Sequence, residues 1–193
     1  EEELASQTRS TQPANQSVCE GDNASFNVVA TNALGYQWQQ FINGNWQNIA
    51  GATNSSFSLT NVTTAMNTNT YRVIITGLCS SVTSTMATLT VRPLPSVTLH
   101  TSRPPALVPG QFLNIIAVAN PGGGSFAWFK DGVAIAGANG PVLQHLGVDD
   151  IGVYHVVYTA PNGCSRQSNS ITITGQASNN LFVYPNPNTG EFQ

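Results

Sequence analysis

The chain has 193 residues, a formal net charge of −3 and only 8% charged residues, far below the usual fraction of about a quarter. Its six basic residues are scattered, which excludes the basic patch of a nucleic-acid-binding or polybasic membrane-binding protein. No apolar run approaches the length of a membrane span. Asn, Ser and Thr supply roughly three residues in ten, so amides and hydroxyls provide the polar surface. The length suits two domains of about 80 residues.

Residues 1–16 are acidic and then polar, without sustained alternation, and we interpret them as a linker or the end of a preceding domain. No signal peptide is recognisable, so we expect the chain to be a piece of a longer protein. Residues 17–92 form the first predicted domain. In it, Phe26, Val28 and Ala30 alternate with period two, as in a half-buried strand, and Asn43-Gly44 is a hairpin signal.

Residues 93–95, Pro-Leu-Pro, form a short and stiff linker, because proline cannot donate to a β-ladder. Residues 96–175 form the second predicted domain, with a strong hairpin signal at Asp131-Gly132. No segment has a helical period, and short strands alternate with turn signals. The predicted fold class is therefore all-β, with two β-sandwiches joined by a proline-containing linker.

Both domains carry a tryptophan followed by a tyrosine: Trp38 then Tyr71, and Trp128 then Tyr154. The second tyrosine ends the motif Asp150-x-Gly152-x-Tyr154. With Trp128, this motif resembles the immunoglobulin superfamily. The resemblance implies two tandem immunoglobulin-like sandwiches, in which the aspartate caps the turn before strand F and the tyrosine forms a corner.

The family's inter-sheet disulfide is missing, because Val73 and Val156 stand two residues after the tyrosines. We therefore expect each core to be closed by hydrophobic packing around its tryptophan. The resemblance places Cys19 and Cys79 at one end of the first domain, which predicts a Cys19–Cys79 disulfide; two reduced thiols are the alternative. Cys164 is expected to be unpaired. Use of a disulfide indicates an oxidising compartment.

A longer pattern in the first domain resembles the Ig-like and PKD-like repeats of secreted Bacteroidetes proteins. The resemblance covers residues 17–92 well and residues 96–175 less closely. The residues that carry it are Cys19, Gly21, Phe26, Tyr36, Gln37, Trp38, Gln39, Tyr71, Arg72, Val73, Gly77 and Cys79.

Residues 176–193 are interpreted as a linker followed by the truncated start of a further domain. They resemble the opening of the type IX secretion C-terminal sorting domain. This resemblance implies that the parent protein is exported to the cell surface or medium of a Bacteroidetes bacterium and that its tail engages the type IX machinery. The alternative is an ordinary Pro/Asn-rich turn before a strand. The matching residues are Tyr184, Pro185, Asn186, Pro187, Gly190 and Phe192.

The sequence contains no catalytic motif, and we expect no cofactor. His100, His145 and His155 lack the spacing of metal ligands, and no serine lies in a nucleophile elbow. Asp149 and Asp150 could ligate calcium with another carboxylate, but Asp150 as the cap of its own turn is the simpler interpretation.

Phe41 and Trp46 are the candidate ligand-binding residues. Sugar rings stack on exposed aromatic side chains, and the surrounding amides offer hydrogen bonds to hydroxyl groups. The alternative is that Trp46 folds back onto the sheet with Ile49 and covers its edge.

We expect a non-catalytic spacer, a stalk that holds another region of the parent protein away from the cell. The second hypothesis is a carbohydrate-binding or adhesive module. Catalysis is not expected in this chain, although the parent protein is compatible with an enzyme.

Overall fold

The computed structural model describes residues 8–176. The chain forms two compact units that divide between Leu94 and Pro95, called unit 1 and unit 2 below. Both are built from short β-strands and one 3-10 turn each, at Thr64–Met66 and Val148–Asp150, so the all-β prediction is confirmed. Among the described residues, no helix is long and apolar enough to cross a membrane.

Unit 1 contains a sheet in the order β2-β10-β8-β5-β6, with β9 added alongside β8, and two smaller ladders, β3-β7 and β1-β4. The strands are β1 (Thr8–Thr11), β2 (Gln16–Cys19), β3 (Ala24–Asn27), β4 (Val29–Thr31), β5 (Gly35–Ile42), β6 (Asn45–Asn48), β7 (Ser56–Leu59), β8 (Thr70–Thr76), β9 (Ser81–Thr83) and β10 (Ala87–Arg92).

The expectation that residues 1–16 are linker is wrong for the part that the structure describes. Thr8–Thr11 pairs with β4, and Gln16 already lies in β2. The strands escape sequence analysis because their Thr, Ser and Gln side chains show no apolar alternation, while pairing needs only the backbone groups.

Alternation along the strands of unit 1 places one face of each sheet in the core. In β8, Tyr71, Val73 and Ile75 are buried while the intervening residues are more exposed, as the period of two requires. The buried hydrophobic residues are Ala24, Phe26, Val28, Trp38, Val62, Tyr71, Val73, Ile75, Ala87, Leu89 and Val91.

Unit 2 repeats this plan with one sheet in the order β12-β19-β17-β14-β15, with β18 alongside β17, and a second in the order β11-β13-β16. The strands are β11 (Ser96–Thr101), β12 (Ala106–Leu107), β13 (Leu113–Asn120), β14 (Ser125–Lys130), β15 (Val133–Ala134), β16 (Val142–Leu146), β17 (Gly152–Thr159), β18 (Ser165–Gln167) and β19 (Ile171–Gly175).

The core of unit 2 surrounds Trp128. In β13, Leu113, Ile115 and Ala117 face inward, whereas Ile116 is 37% exposed on the other face. The odd-numbered residues of this strand therefore line the core. The buried hydrophobic residues grouped around Trp128 are Val97, Leu99, Leu107, Leu113, Ile115, Ala117, Tyr154, Val156, Tyr158, Ala160 and Ile173.

Candidate functional site

Trp38 and Trp128 occupy equivalent places in the two units. Trp38 is paired across the sheet with Val73, and Trp128 with Val156, and both tryptophans are at most 1% exposed. The Trp38 Nε1–H donates to the Asn54 carbonyl oxygen at 2.9 Å, and Trp128 donates in the same way to a carbonyl oxygen at 2.8 Å. Apolar burial and a satisfied indole N–H make these side chains the centres of their cores.

The predicted tyrosine corner of unit 2 has the expected geometry. The Tyr154 hydroxyl donates to the Asp150 carbonyl oxygen at 2.6 Å, and the Asp150 carboxylate accepts from the Gly147 N–H at 3.0 Å. Burial, followed by the negative charges of Asp150 and Asp131, raises the pKa of Tyr154 to about 12. Gly152 has a φ of +156°, which L side chains rarely adopt, and a Cβ there would lie 2.7 Å from an Asp131 carboxylate oxygen, so the position favours glycine.

Tyr71 of unit 1 is equally buried, but its hydroxyl has a different partner. The Asn69 Nδ2–H donates to it at 3.4 Å, and its ring packs in an aromatic cluster 5.0 Å from Phe26 and 5.5 Å from Phe57. Burial raises the pKa of Tyr71, and the Asn69 hydrogen bond opposes that shift. Unit 1 therefore positions its tyrosine mainly by aromatic packing.

Two serines that sequence analysis missed complete the inner structure. The Ser84 hydroxyl accepts from the Val73 N–H at 2.9 Å and donates to the carbonyl oxygen of the following residue, Thr85. Ser168 makes the same two hydrogen bonds with Val156 in unit 2. Each serine is 8% exposed. In one sequence, the recurrence of a serine 13 or 14 residues after the tyrosine is too weak a signal to find them.

The predicted Cys19–Cys79 disulfide is wrong. Cys79 is a free and exposed thiol, whereas Cys19 is disulfide-bonded. Cys19 lies opposite Arg92 at one end of the parallel β2–β10 ladder. Tyr71 pairs with the other end of β10, and β8 then runs further away before the turn that holds Cys79. Ten strand positions or more separate the two cysteines, about 30 Å, whereas a disulfide requires Cα atoms about 4.4–6.8 Å apart.

Cys164 is also disulfide-bonded, so the expectation of an unpaired thiol is wrong. It is fully buried in the turn between β17 and β18, where its carbonyl oxygen accepts from the Ala160 N–H at 2.9 Å. The expectation failed because it assigned partners by equivalence between the units. Disulfide use itself is confirmed.

The candidate ligand-binding residues Phe41 and Trp46 face each other across the β5–β6 hairpin. Their ring centroids are 5.2 Å apart, and Phe41 is 44% exposed. Trp38 faces the core, and side chains along a strand alternate between the two faces of the sheet. Gln39 and Phe41 therefore face outward. Trp46 therefore lies on the outer face of the sheet. Ile49 packs against the core, so Trp46 and Ile49 do not cover the edge together.

A chain of polar contacts surrounds this aromatic pair. The Arg72 guanidinium carbon lies 4.2 Å from the Trp46 ring centroid, and its Nε–H donates to the Gln39 Oε1 at 2.8 Å. Gln39 in turn donates to the Asn48 Oδ1 at 2.8 Å. We call this outer surface of β5, β6 and β8 the Trp46 face; it consists of Gln39, Phe41, Trp46, Asn48 and Arg72.

Unit 2 has an aromatic pair at the positions of Gln39 and Arg72. Phe129 and His155 are paired across β14 and β17, and their rings stack with a centroid distance of 4.8 Å and an interplanar angle of 2°. Phe112 and His145 form a second stack at 3.9 Å.

Within residues 8–176, no three His, Cys, Asp or Glu side chains are grouped closely enough to hold a metal ion.

The six residues that resemble a sorting signal, between Tyr184 and Phe192, lie outside the described residues. Their assignment stays a prediction.

Comparison with known proteins places the chain among immunoglobulin-like folds. Residues 8–93 match the model of a family described as a domain of unknown function, DUF8696. No curated protein sequence matches the chain. The titin I-band fragment I67–I69 is 16% identical, with a TM-score of 0.50 over 91% of this chain and 67% of that one. At this identity the match shows the fold alone, and it confirms the immunoglobulin-like prediction.

Two further solved structures are similar over most of this chain. The N-terminal four Ig domains of Dscam1 isoform 6.9 are 18% identical, with a TM-score of 0.42 over 91% of this chain; the chain spans 48% of that fragment. Murine CEACAM1b is 15% identical, with a TM-score of 0.42 over 89% of this chain and 100% of its own.

Proposed function

We propose that this chain is a non-catalytic spacer in an exported multidomain protein. The observation that carries the proposal is the parallel pairing, in each unit, of the second strand with the last strand. In unit 1, β2 pairs with the last strand, β10, over four successive residue pairs. In unit 2, β12 pairs in parallel with the last strand, β19.

Parallel pairing of an early strand with the last strand suits a spacer under tension. When the two ends of a unit are pulled apart, parallel neighbours slide in opposite directions along their length. All hydrogen bonds between them are then loaded together, whereas a hairpin pulled at its open end would break its bonds one after another. Such a unit resists extension.

The register of unit 1 supplies a sharp test. The Glu20 N–H donates to the Arg92 carbonyl oxygen at 2.9 Å. Because every second residue of a strand faces the same neighbour, the Val18 N–H also points toward β10 and the Ser17 N–H points away. Val18→Pro removes a donor of the ladder together with a side chain that packs against the core, whereas Ser17→Pro is a control on the same edge strand that keeps both.

The measurement is the unfolding force of the full chain in single-molecule pulling, with the chain reduced so that no disulfide limits extension. We expect unit 1 to unfold at clearly lower force in the Val18→Pro variant than in wild type or Ser17→Pro. Equal forces in all three chains would refute the role of the β2–β10 ladder and with it the proposal of a tension-resisting spacer.

The export part of the proposal rests on the sequence of the tail and on disulfide use, which is typical of oxidising compartments. We propose that the parent protein reaches the surface of a Bacteroidetes cell through type IX secretion. Replacing Pro185, Asn186 and Pro187 by alanine in the full-length parent should leave it in the periplasm. Surface delivery at the wild-type level would disprove the role of the tail; a host lacking the secretion system is the control.

The Trp46 face favours a second candidate function, carbohydrate binding by an adhesive module. An exposed aromatic ring next to fixed amide groups is the combination that binds sugar rings through their C–H faces and hydroxyl groups. Pull-down with a panel of insoluble polysaccharides tests it, comparing wild type with Phe41→Ala. Retention of wild type but not of the variant supports the function; no retention of wild type excludes it.

A further inference from the structure

We propose that the Trp46 face binds acidic polysaccharides, with Arg72 as the residue that selects the acidic sugar. This inference rests on the second candidate function above and names its ligand class. The argument depends on the charge of the face, on the way Arg72 is held and on its neighbouring ring.

Among the residues that the structure describes, Arg72 has no acidic side chain on the strands of its own face. The strands β5, β6 and β8 contain no Asp or Glu, and the side-chain acceptor of Arg72 is the neutral amide oxygen of Gln39. A partly buried cation is normally paired with an anion. The charge of Arg72 is therefore available to an anionic ligand.

The guanidinium is held in place before a ligand arrives. It lies against the Trp46 ring at 4.2 Å and donates through Nε, which fixes the plane of the group. Gln39 is itself held by Asn48 and is only 8% exposed. A fixed planar guanidinium presents its terminal N–H groups as a fork, and that fork matches a carboxylate or sulfate. Fixing the side chain in advance also lowers the entropy cost of binding.

An aromatic surface adjoins this cation. Phe41 is 44% exposed, and its ring centroid is 5.2 Å from that of Trp46. Phe41 and Arg72 thus flank the same indole ring, within the length of a short sugar segment. A sugar ring can stack on Phe41 while its own or its neighbour's carboxylate binds Arg72. A neutral polysaccharide uses the stacking contact but not the charge.

The test uses native affinity electrophoresis of the full chain in gels containing polygalacturonate or alginate, with hydroxyethyl cellulose as the neutral polysaccharide. The wild type should be retarded by the acidic polymers more than by the neutral one, and less so at high salt. Arg72→Gln keeps N–H donors but removes the charge, and it should weaken acidic binding by about tenfold or more, which corresponds to loss of a charged hydrogen-bonded contact. Arg72→Lys should be intermediate, because lysine lacks the fork.

Two controls separate binding from folding. Gln47→Ala alters the same hairpin but on the opposite face of β6, and Phe129→Ala alters the position in unit 2 that corresponds to Gln39. Both should bind as wild type does. Phe41→Ala should lose binding to every polymer while keeping the wild-type circular dichroism spectrum, since the ring is largely exposed.

The outcomes distinguish the two levels of the proposal. If the wild type binds acidic and neutral polymers equally, or if Arg72→Gln binds acidic polymers as well as wild type, the selective role of Arg72 is overturned while carbohydrate binding stands. If the wild type binds no polysaccharide, carbohydrate binding and this inference both fall. The spacer proposal is decided separately, by the pulling experiment.

Discussion

Tyr71 and Tyr154 occupy the same place in the two units, but their hydroxyl groups have different surroundings. The Tyr154 hydroxyl donates a short bond to the Asp150 carbonyl oxygen, whereas the Tyr71 hydroxyl accepts a long one, 3.4 Å, from Asn69. The same residue type therefore contributes a hydrogen bond in one unit and mainly aromatic packing in the other.

Replacing each tyrosine by phenylalanine should separate these contributions. Tyr154→Phe leaves the Asp150 carbonyl oxygen without its donor and should cost about 1 kcal/mol or more in the free energy of unfolding. Tyr71→Phe keeps the ring cluster and should cost clearly less. Guanidinium denaturation followed by near-ultraviolet circular dichroism measures both losses. Equal losses would contradict the assignment of a corner hydrogen bond to unit 2 alone.

The raised pKa of Tyr154 predicts a loss of stability at alkaline pH. Its pKa is about 12 in the folded protein, against a usual value of 10, so the folded state favours the protonated hydroxyl. The contribution is fully present below pH 10 and is lost as the pH rises from 10 toward about 12. Unfolding free energies across this range should fall more steeply for wild type than for Tyr154→Phe. Parallel curves would show that Tyr154 is not the group responsible.

At the scale of the element, one loop shows how side chains turn a flexible sequence into a fixed structure. The three successive glycines Gly122, Gly123 and Gly124 are typical of a flexible loop. In the structure the Tyr158 hydroxyl donates to the Pro121 carbonyl oxygen at 2.6 Å and accepts from the Gly124 N–H at 2.8 Å. A buried tyrosine on β17 thus fixes the loop that leads into β14.

Two alanine substitutions in this loop should differ sharply. A Cβ at Gly124 would lie 2.6 Å from the Tyr158 hydroxyl and would also meet the Thr159 carbonyl oxygen, whereas a Cβ at Gly122 would meet nothing within 4 Å. Gly124→Ala should destabilise unit 2 by about 1–3 kcal/mol or more, and Gly122→Ala should stay within about 0.5 kcal/mol of wild type. Thermal denaturation measures both; a tolerated Gly124→Ala would show that the loop is not held by Tyr158.

At the scale of the whole molecule, the three cysteines differ in whether they form a disulfide. The sequence contains three cysteines; Cys19 and Cys164 are disulfide-bonded and Cys79 is free. Of the three, only Cys79 can react as a thiol in the oxidised protein.

A thiol titration tests this arrangement directly. The native oxidised chain should react with one equivalent of Ellman's reagent, and Cys79→Ser should abolish the reaction. After reduction and unfolding, three thiols should react in wild type. A Cys79→Ser chain that still reacts in its native state would contradict the assignment, as would a native wild type that does not react.

Local patterns of the sequence determined the fold class and the inner residues. Alternation placed the strands, because a sheet with one buried face requires a period of two. The order of tryptophan then tyrosine marks both units, the resemblance to the immunoglobulin superfamily assigns these side chains their structural places, and all four are buried: Trp38, Tyr71, Trp128 and Tyr154. The hairpin turns followed from dipeptides that accept positive φ, and Asn43 and Asp131 both adopt it.

Contacts between distant residues were decided only by the tertiary structure. The strand Thr8–Thr11 and the bonds of Ser84 and Ser168 depend on backbone groups, which every residue carries and no pattern marks. The cysteine pairing depended on the direction of β8 relative to β10, which carries Cys79 away from Cys19. The Trp46 face likewise unites residues from three strands, and the sequence indicated Phe41 and Trp46 but not Arg72. Strand register brings these groups together, and register is a property of pairing that neither strand contains by itself.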